Sequence, residues 1–327
     1  MRTAIISDVH GNYPALASVI EDAGANSVDN FIFLGDYIFD MPFSNEVARL
    51  LMNLDNAHIV KGNKEGYLRN LAKDNQDNWT LNQFGGLYQT FRELPHEIYD
   101  FLDNLAEECY IPVKPGVSVY AAHFPINVKI LSPKFFLLRS SYFHEKMLEE
   151  PFTHEQYLTE FSDLINCDEL RPQIEQINAD IILFGHNHLQ SYGYCGDKLI
   201  INPGSCGLPL DFNPAAAYTI LEITDNGFTV TEKRVAYDIE TAINQAKKTA
   251  VYEKSKIWSE IVFLTLRTGR DYTRVFFDIA KKIAVSKDEP EANFSNSTVE
   301  EAYEIFIKER ETPNYKIKNK ISEDRVN

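Results

Sequence analysis

The chain has 327 residues, a length that predicts about two domains at roughly 150 residues each and a core that needs no disulfide or structural metal. Its apolar fraction of 44% and charged fraction of 24% are ordinary for a soluble globular protein. Its 32 basic and 48 acidic side chains give a net charge of −16, which disfavours binding to a nucleic-acid polymer. A small phosphorylated substrate stays open, because bound cations can reverse the local field.

The cysteines and the amino-terminal residues predict a cytoplasmic protein. Four cysteines lie far apart without a Cys-x-x-Cys pair, which argues against a zinc knuckle and a disulfide framework: Cys109, Cys167, Cys195 and Cys206. Residues 1–7 have the pattern of a buried strand and lack that of a signal peptide. No apolar run approaches the ~20 residues that a membrane helix needs. We therefore expect no membrane segment.

The first 65 residues predict an alternation of strands and helices. Short apolar runs at 3–7, 30–34 and 57–60 predict strands, and helical spacing predicts helices at 13–23 and 44–54, the second capped by Ser44. Such an alternation favours a sheet with parallel neighbours and right-handed crossovers.

The remaining chain predicts helical inserts, hairpins and a helical extension. We expect helices within 65–108 and 133–177, and a buried strand at 180–184. Turn signals predict three hairpins, centred on 114–116, 196–197 and 225–227. Residues 1–237 would form the catalytic domain and 238–311 a helical extension, with 312–327 a frayed tail.

Polar residues follow five of the predicted strands at their carboxyl ends, where open α/β sheets bind ligands. They are Asp8, His10 and Asn12, then Asp36, then Asn63, then His123, then His186 and His188. Asp8 and His10 are two apart, so in an extended segment their side chains would point the same way, and the same holds for His186 and His188.

The donor set predicts two metal ions. The set has seven donors: two carboxylates, four imidazoles and one amide oxygen. One tetrahedral zinc cannot use so many. They suit two ions about 3.5–4 Å apart that share a bridging carboxylate. Nitrogen and oxygen donors without thiolate favour Mn²⁺, Fe or Zn²⁺. The other histidines lack this context, and we interpret them as solvated or structural: His58, His96, His144 and His154.

The motifs that contain these residues resemble those of the calcineurin-like metallophosphoesterases. They are Asp8-Val9-His10-Gly11-Asn12, Gly35-Asp36, Gly62-Asn63-Lys64-Glu65, His123 and Gly185-His186-Asn187-His188. The likeness covers residues 1 to about 235. The segment 202–205 and the terminal hairpin look like the small bacterial phosphodiesterase branch. The whole layout is most similar to bacterial proteins described as asymmetric diadenosine tetraphosphate hydrolases and phosphodiesterases.

The resemblance implies a four-layer α/β/β/α sandwich with a two-metal site at the sheet edge. It implies that Asp8, His10 and His188 bind one ion, that Asn63, His123 and His186 bind the other, and that Asp36 bridges both. A hydroxide between the ions would be the nucleophile. The candidate catalytic residues are Asp36, Asn63, Lys64 and Asn12. Asn12 and Asn187 would either hold a ligand imidazole or a phosphate oxygen, or be turn residues without such a contact.

Two positions depart from the family pattern. Lys64 stands where the family often has a His that protonates the leaving group, and Phe39 stands where an acid is common, with Asp40 the nearest one. Without that His, monoesters with basic leaving groups should suffer most, because they need general acid help. Lys64 either supplies positive charge or is a solvated surface residue. Glu65 either supports the site or begins a helix.

Two further features allow structural or functional interpretations. Cys206 lies in a glycine-rich loop. It is either a free buried thiol, which is the commoner case, or a residue near the site. The aromatic set at 252–277 has the helical spacing of a core, with a homo-oligomer contact or a base-stacking wall as the alternatives.

Together these features predict a dimetal-dependent hydrolase of phosphate diesters or phosphoanhydrides, with dinucleoside polyphosphates as one candidate substrate class. The alternatives are a phosphomonoesterase acting on proteins or small molecules, and a non-catalytic scaffold of the same fold. The scaffold is disfavoured because all seven inferred ligands are present.

Overall fold

The computed structural model describes residues 1–73, 81–114, 116–124, 153–168, 170–290 and 293–311. The strands in these ranges are β1 (Arg2–Ile6), β2 (Asn30–Phe33), β3 (Ala57–Ile59), β4 (Glu108–Lys114), β5 (Val117–Ala122), β6 (Ile181–Leu183), β7 (Gln190–Cys195), β8 (Lys198–Pro203), β9 (Ala216–Thr224) and β10 (Gly227–Val235). The helices are α1 (Tyr13–Ala25), α2 (Ser44–Met52), α3 (Asn63–Lys73), α4 (Leu81–Glu93), α5 (His96–Asp103), α6 (His154–Ile165), α7 (Arg171–Glu175), α8 (Ile239–Ala246), α9 (Ala250–Lys254), α10 (Lys256–Thr268), α11 (Tyr272–Ser286) and α12 (Asn296–Glu311).

The strands form two five-stranded sheets. The first has the order β10-β9-β1-β2-β3, and the second has the order β4-β5-β6-β8-β7. β1 is parallel to β2, and β2 to β3, with Ile5 paired to Ile32 and Ile32 to His58. β5, β6 and β8 are parallel in the second sheet. The predicted parallel neighbours are therefore confirmed, while β9 runs antiparallel to β1.

Alternate residues of the central strands build four layers. In β1, Ile5 joins the apolar core between the two sheets together with Leu183 of the second sheet. Ala4 and Ile6 face the other way, into the core that packs against α1 and α2. On the far side of the second sheet, Ile182 packs with residues of α6 and α7. This is the predicted α/β/β/α sandwich, since a sheet that is apolar on both faces must be covered on both.

The local predictions hold with small shifts of the element ends. The three predicted hairpins are β4–β5, β7–β8 and β9–β10. Ser44 is wrong as a cap: it is the first helical residue of α2, and its hydroxyl accepts a hydrogen bond from the backbone N–H of Phe39 over 3.1 Å. Parts of the predicted insert at 133–177, including His144, lie outside the described residues, and so does the predicted tail at 312–327.

The C-terminal helices pack against the first helical insert, which is the one within residues 65–108. β10 ends at Val235, and all regular structure described from there to residue 311 is helical. A Cβ added to Gly85 of α4 would lie 2.2 Å from the carbonyl oxygen of Lys254, so the two backbones meet with no space for a side chain. The division into a catalytic domain and an extension stays a prediction. No helix within the described ranges is both long and apolar enough to span a bilayer.

Candidate metal centre

The loops that follow β1 and β2 lie side by side and carry three of the predicted ligands. The backbone N–H of His10 donates to the carbonyl oxygen of Asp36 over 2.9 Å. Asp8, His10 and Asp36 all have left-handed backbones, with φ of 53°, 51° and 55°. The predicted extended segment is therefore wrong, because these residues turn sharply at the end of each strand. Residues other than glycine adopt this strained conformation mainly where surrounding structure enforces it.

One group of donors comprises Asp8, His10 and His188. Nε2 of His10 lies 3.2 Å from Nε2 of His188, and Oδ1 of Asp8 lies 3.4 Å from the same His188 atom. All three side chains are buried. His188 follows β6 in the second sheet, so the two sheets meet here.

A second group comprises Asn63, His123 and His186. Oδ1 of Asn63 lies 3.0 Å from Nε2 of His123 and 3.0 Å from Nδ1 of His186, and the two imidazole nitrogens are 3.2 Å apart. Asp36 lies between the groups: its Oδ2 is 3.9 Å from Nε2 of His10 and 3.5 Å from Nε2 of His123. His186 and His188, predicted to point the same way, face different groups.

The chemistry of these donors fits metal ions. Two ligands bound at 2.0–2.2 Å to one ion lie roughly 3–3.5 Å apart, which matches the nitrogen and oxygen separations within each group. Oδ1 of Asp8 is buried and has no hydrogen-bond partner among the described residues. A buried carboxylate oxygen in that state is costly unless a cation compensates it. The seven predicted ligands therefore come together as a set that could hold two ions.

Three imidazoles are oriented by acceptors outside the centre. Nδ1 of His10 bonds to Oδ2 of Asp40 (2.7 Å), Nδ1 of His123 to the Leu34 carbonyl oxygen (2.7 Å), and Nδ1 of His188 to the Leu208 carbonyl oxygen (2.6 Å). Each acceptor favours the tautomer with hydrogen on Nδ1, which leaves Nε2 to face the centre.

The buried charges shift the pKa values of these groups. Burial would lower the pKa of His10, but the nearby carboxylates of Asp40 and Asp8 outweigh burial and raise it to about 9. Burial would raise the pKa of Asp8, but His188 and His10 outweigh it and hold that carboxyl well below its usual range. Burial lowers the pKa of His188.

Lys64 and Asp40 form an ion pair at the edge of the centre. Nζ of Lys64 lies 3.0 Å from Oδ2 of Asp40, the same oxygen that bonds to His10. The Lys64 side chain is 19% exposed. It is therefore not a fully solvated surface residue, which was the alternative interpretation of the sequence. Burial opposes its charge, but Asp40 and Asp36 raise the pKa of Lys64 above its usual value. The sequence identified Asp40 only as the acid nearest to the position of Phe39.

Glu65 supports the loops beneath the centre. Its carboxylate is fully buried and accepts hydrogen bonds from the backbone N–H groups of Asp36 (3.0 Å), Tyr37 (2.8 Å) and Gly62 (2.8 Å). Burial and the charge of Asp36 raise the pKa of Glu65. Its carboxylate thus joins the loop after β2 to the start of α3. Of the two interpretations of Glu65 from the sequence, this contact pattern favours support of the site.

Asn12 and Asn187 are engaged within the fold. Asn12 Oδ1 caps α1 by accepting from Ala15 N–H, and its Nδ2 donates to the Gly207 carbonyl oxygen (2.8 Å) and the Tyr237 hydroxyl (2.9 Å). Both the amide nitrogen and the oxygen of Asn12 therefore have partners within the fold, and its catalytic role stays a prediction. Asn187 Oδ1 accepts from the backbone N–H of Leu189 and so braces the loop between His186 and His188.

The remaining candidate residues belong to neither group of donors. His58, His96 and His154 are exposed, as predicted for solvated histidines. Cys206 is fully buried in the core, and burial raises the pKa of its thiol. Most of the aromatic set packs within the C-terminal helices, for example Phe276 against Phe306. Trp258 differs, because its indole Nε1–H donates to Oδ1 of Asp40 over 3.0 Å.

The fold and the donor set define a metallophosphoesterase, and comparison with known proteins places it. The sequence model of calcineurin-like phosphoesterases matches residues 1–190, and the chain belongs to that family. It is a phosphoester hydrolase by that membership. An uncharacterized protein of Methanocaldococcus jannaschii is 26% identical over 267 residues, which cover 76% of this chain and 93% of that protein.

Two solved structures share the fold. A metallophosphoesterase from Sphaerobacter thermophilus aligns with a TM-score of 0.54 at 22% identity, over 82% of this chain and 100% of that one. A hypothetical protein from Pyrococcus horikoshii OT3 aligns with a TM-score of 0.54 at 16% identity, over 80% of this chain and 97% of that one.

Proposed function

We propose that this chain is a dimetal-dependent hydrolase of phosphodiesters or phosphoanhydrides, with dinucleoside polyphosphates as the candidate natural substrates. The observation that carries the proposal is Lys64, a cation tied to Asp40 at the edge of a buried group of metal-type donors. The net charge of −16 would repel an anionic substrate in the absence of cations, so bound metals and Lys64 would have to attract it.

Seven side chains would hold the metal ions. Asp8, His10 and His188 would bind one ion; Asn63, His123 and His186 would bind the other; Asp36 would contact both. When bound, such a pair of ions activates water and stabilises charge on the phosphoryl oxygens. The chain supplies the rest: Asp40 and the Leu34 and Leu208 carbonyl groups orient the imidazoles, and Glu65 fixes the loops that carry Asp36 and Asn63.

Lys64 favours substrates whose leaving group is already a weak base. Its raised pKa and its ion pair with Asp40 keep Lys64 charged at neutral pH, so it is a poor proton donor. An alkoxide leaving group needs a general acid, whereas a phosphate or nucleotide leaves as an anion. A fixed ammonium group would stabilise that anion electrostatically. Phosphoanhydrides and activated diesters therefore suit this site better than alkyl monoesters.

The test is hydrolysis of bis-p-nitrophenyl phosphate and p-nitrophenyl phosphate with Mn²⁺, followed by diadenosine tetraphosphate. We expect the diester to be cleaved faster than the monoester, and diadenosine tetraphosphate to give ATP and AMP by uptake of one water. The Asp36→Asn variant serves as the control and should lose both activities. A higher rate with the monoester would favour the phosphomonoesterase alternative.

Two further measurements bear on the other parts of the proposal. Metal analysis of the purified protein should give two ions per chain, with Mn²⁺ or Fe favoured by the mixed nitrogen and oxygen donors and Zn²⁺ as the alternative. A folded protein that holds two ions but cleaves none of the three substrates would favour the scaffold alternative. Sedimentation of the full chain tests whether the C-terminal helices support a homo-oligomer.

A further inference from the structure

Asp40 joins three parts of the chain at one carboxylate. Oδ2 contacts Nδ1 of His10 at 2.7 Å and Nζ of Lys64 at 3.0 Å, and Oδ1 accepts from Nε1 of Trp258 at 3.0 Å. The carboxylate side chain is only 5% exposed, so these three donors replace water at the oxygens. Trp258 lies in α10, beyond residue 190, where the family match ends.

We propose that Trp258 is a positioning residue, which holds the Asp40 carboxylate in the orientation that bonds His10 and Lys64 together. The C-terminal helical extension would thereby complete the active site. This inference rests on the proposed function, because it assigns Trp258 a role in the same centre.

The backbone brings Asp40 to this place at a cost. Phe39 and Asp40 both have left-handed backbones, with φ of 70° and 63°. Two successive residues other than glycine persist in that region only where the surrounding structure enforces them. Hydrogen bonds hold the turn, from Met41 N–H to the His10 carbonyl oxygen and from Phe39 N–H to Ser44 Oγ. These bonds fix the Asp40 backbone but not the rotation of its carboxylate.

The indole fixes that rotation. A carboxylate rotates freely about its terminal torsion unless its oxygens have separate partners. Trp258 gives Oδ1 a donor of its own, so Oδ2 stays with His10 and Lys64. His10 needs an acceptor at Nδ1 to present Nε2 to a metal ion. Loss of the indole N–H would therefore reach the metal centre through Asp40 and His10.

The indole is itself held firmly. Its ring packs against Phe277 with centroids 5.3 Å apart. Ser255, just before α10, is buried and lies so close to α4 that a Cβ on Gly86 would be 2.7 Å from its hydroxyl oxygen. Phe277 thus holds the indole within the C-terminal helices, and Ser255 lies against α4 just before the helix that carries Trp258, which suits a residue that positions another.

The experiment compares Trp258→Phe with Tyr252→Phe in the full chain. Trp258→Phe keeps an aromatic ring and removes the N–H. Tyr252→Phe is the matched control, because it removes a donor to a different carboxylate, that of Glu260, in the same helical extension. Mn²⁺ affinity is measured by calorimetry, and kcat and KM are measured with bis-p-nitrophenyl phosphate.

We expect Trp258→Phe to weaken the affinity for one of the two Mn²⁺ ions and to lower kcat, each by roughly three- to tenfold, with KM within about twofold. Tyr252→Phe should match the wild type in all three. In an Asp40→Ala background, Trp258→Phe should add no further loss of Mn²⁺ affinity, because the indole would act only through Asp40.

Wild-type Mn²⁺ affinity and kcat in Trp258→Phe would overturn the inference, and so would equal losses in Trp258→Phe and Tyr252→Phe. An additive loss in the Asp40→Ala background would also overturn it. If the wild type cleaves no phosphodiester, the proposed function fails, and the Mn²⁺ affinities of the two variants still decide the role of Trp258.

Discussion

Oδ1 of Asp36 accepts a hydrogen bond from the backbone N–H of Lys64 over 2.8 Å, which directs its other oxygen toward both groups of metal-type donors. The start of α3 thus fixes the rotation of the carboxylate that is proposed to bridge the two ions. Because Asn63 and Lys64 are adjacent in sequence, one turn of backbone carries one proposed ligand and orients the proposed bridging ligand.

Asp36→Asn should abolish turnover and keep the fold. An asparagine can still accept the Lys64 N–H bond at Oδ1, but its amide nitrogen has no lone pair for a metal ion in place of Oδ2. We expect kcat with bis-p-nitrophenyl phosphate to fall by about 1,000-fold or more, with an unchanged circular dichroism spectrum. Activity retained at wild-type level in this variant would contradict the two-metal mechanism.

Lys64→His should raise the ratio of monoester to diester hydrolysis. A histidine beside Asp40 would gain a hydrogen-bond partner and could donate a proton to an alkoxide leaving group, which Lys64 does poorly. Rates with p-nitrophenyl phosphate, an alkyl phosphate and bis-p-nitrophenyl phosphate measure the effect, which we expect to be largest for the alkyl ester. Lys64→Gln is the control, since it removes the charge without adding an acid. An unchanged ratio in Lys64→His would count against the general acid argument.

Gly62→Ala should disrupt the loop before α3, and Gly66→Ala should not. A Cβ on Gly62 would lie 2.2 Å from both the backbone nitrogen and Oδ1 of Asp36. Gly66 lies within α3, and a Cβ there would meet nothing within 4 Å. We expect Gly62→Ala to lower the free energy of unfolding by about 1–3 kcal/mol, and Gly66→Ala to raise it by about 0.5–1 kcal/mol. Urea unfolding of both variants measures the difference, and equal effects would contradict the close approach.

Removal of metal should destabilise the protein. Asp8, His10 and Asp36 follow strands of the first sheet, whereas His123, His186 and His188 follow strands of the second. Ions held by both sets would bind the folded state and not the unfolded one, which adds about 2.7 kcal/mol per site at 100 times the dissociation constant. We expect a higher Tm in Mn²⁺ than in EDTA. Asp36→Asn should show a smaller difference, and a Tm independent of Mn²⁺ in the wild type would contradict the prediction.

The sequence predicted the sheets and the members of the centre because both depend on local patterns. An apolar run followed by Asp or His predicts a strand that ends at a ligand, and parallel strands bring such ends together. The link between Trp258 and Asp40 spans 218 residues and has no periodic signal, so it could not be predicted. The left-handed turns at Asp8 and His10 were missed for a different reason: contacts with the neighbouring loop, not intrinsic preference, enforce them.

Because β1 lies in the middle of its sheet, the nascent chain cannot complete the first sheet until β9 has been synthesised. β1 needs β9 as its second neighbour, and residues 216–224 leave the ribosome about 200 residues later. The loop after β1 also depends on residues that are synthesised late. Ser205 Oγ and Gly207 N–H both donate to the Asp8 carbonyl oxygen, and Cys206 N–H donates to the carbonyl oxygen of Ser7. The Asp8 turn is therefore complete only after residue 207 has been synthesised, and a fragment that stops at residue 190 would leave it without these hydrogen bonds.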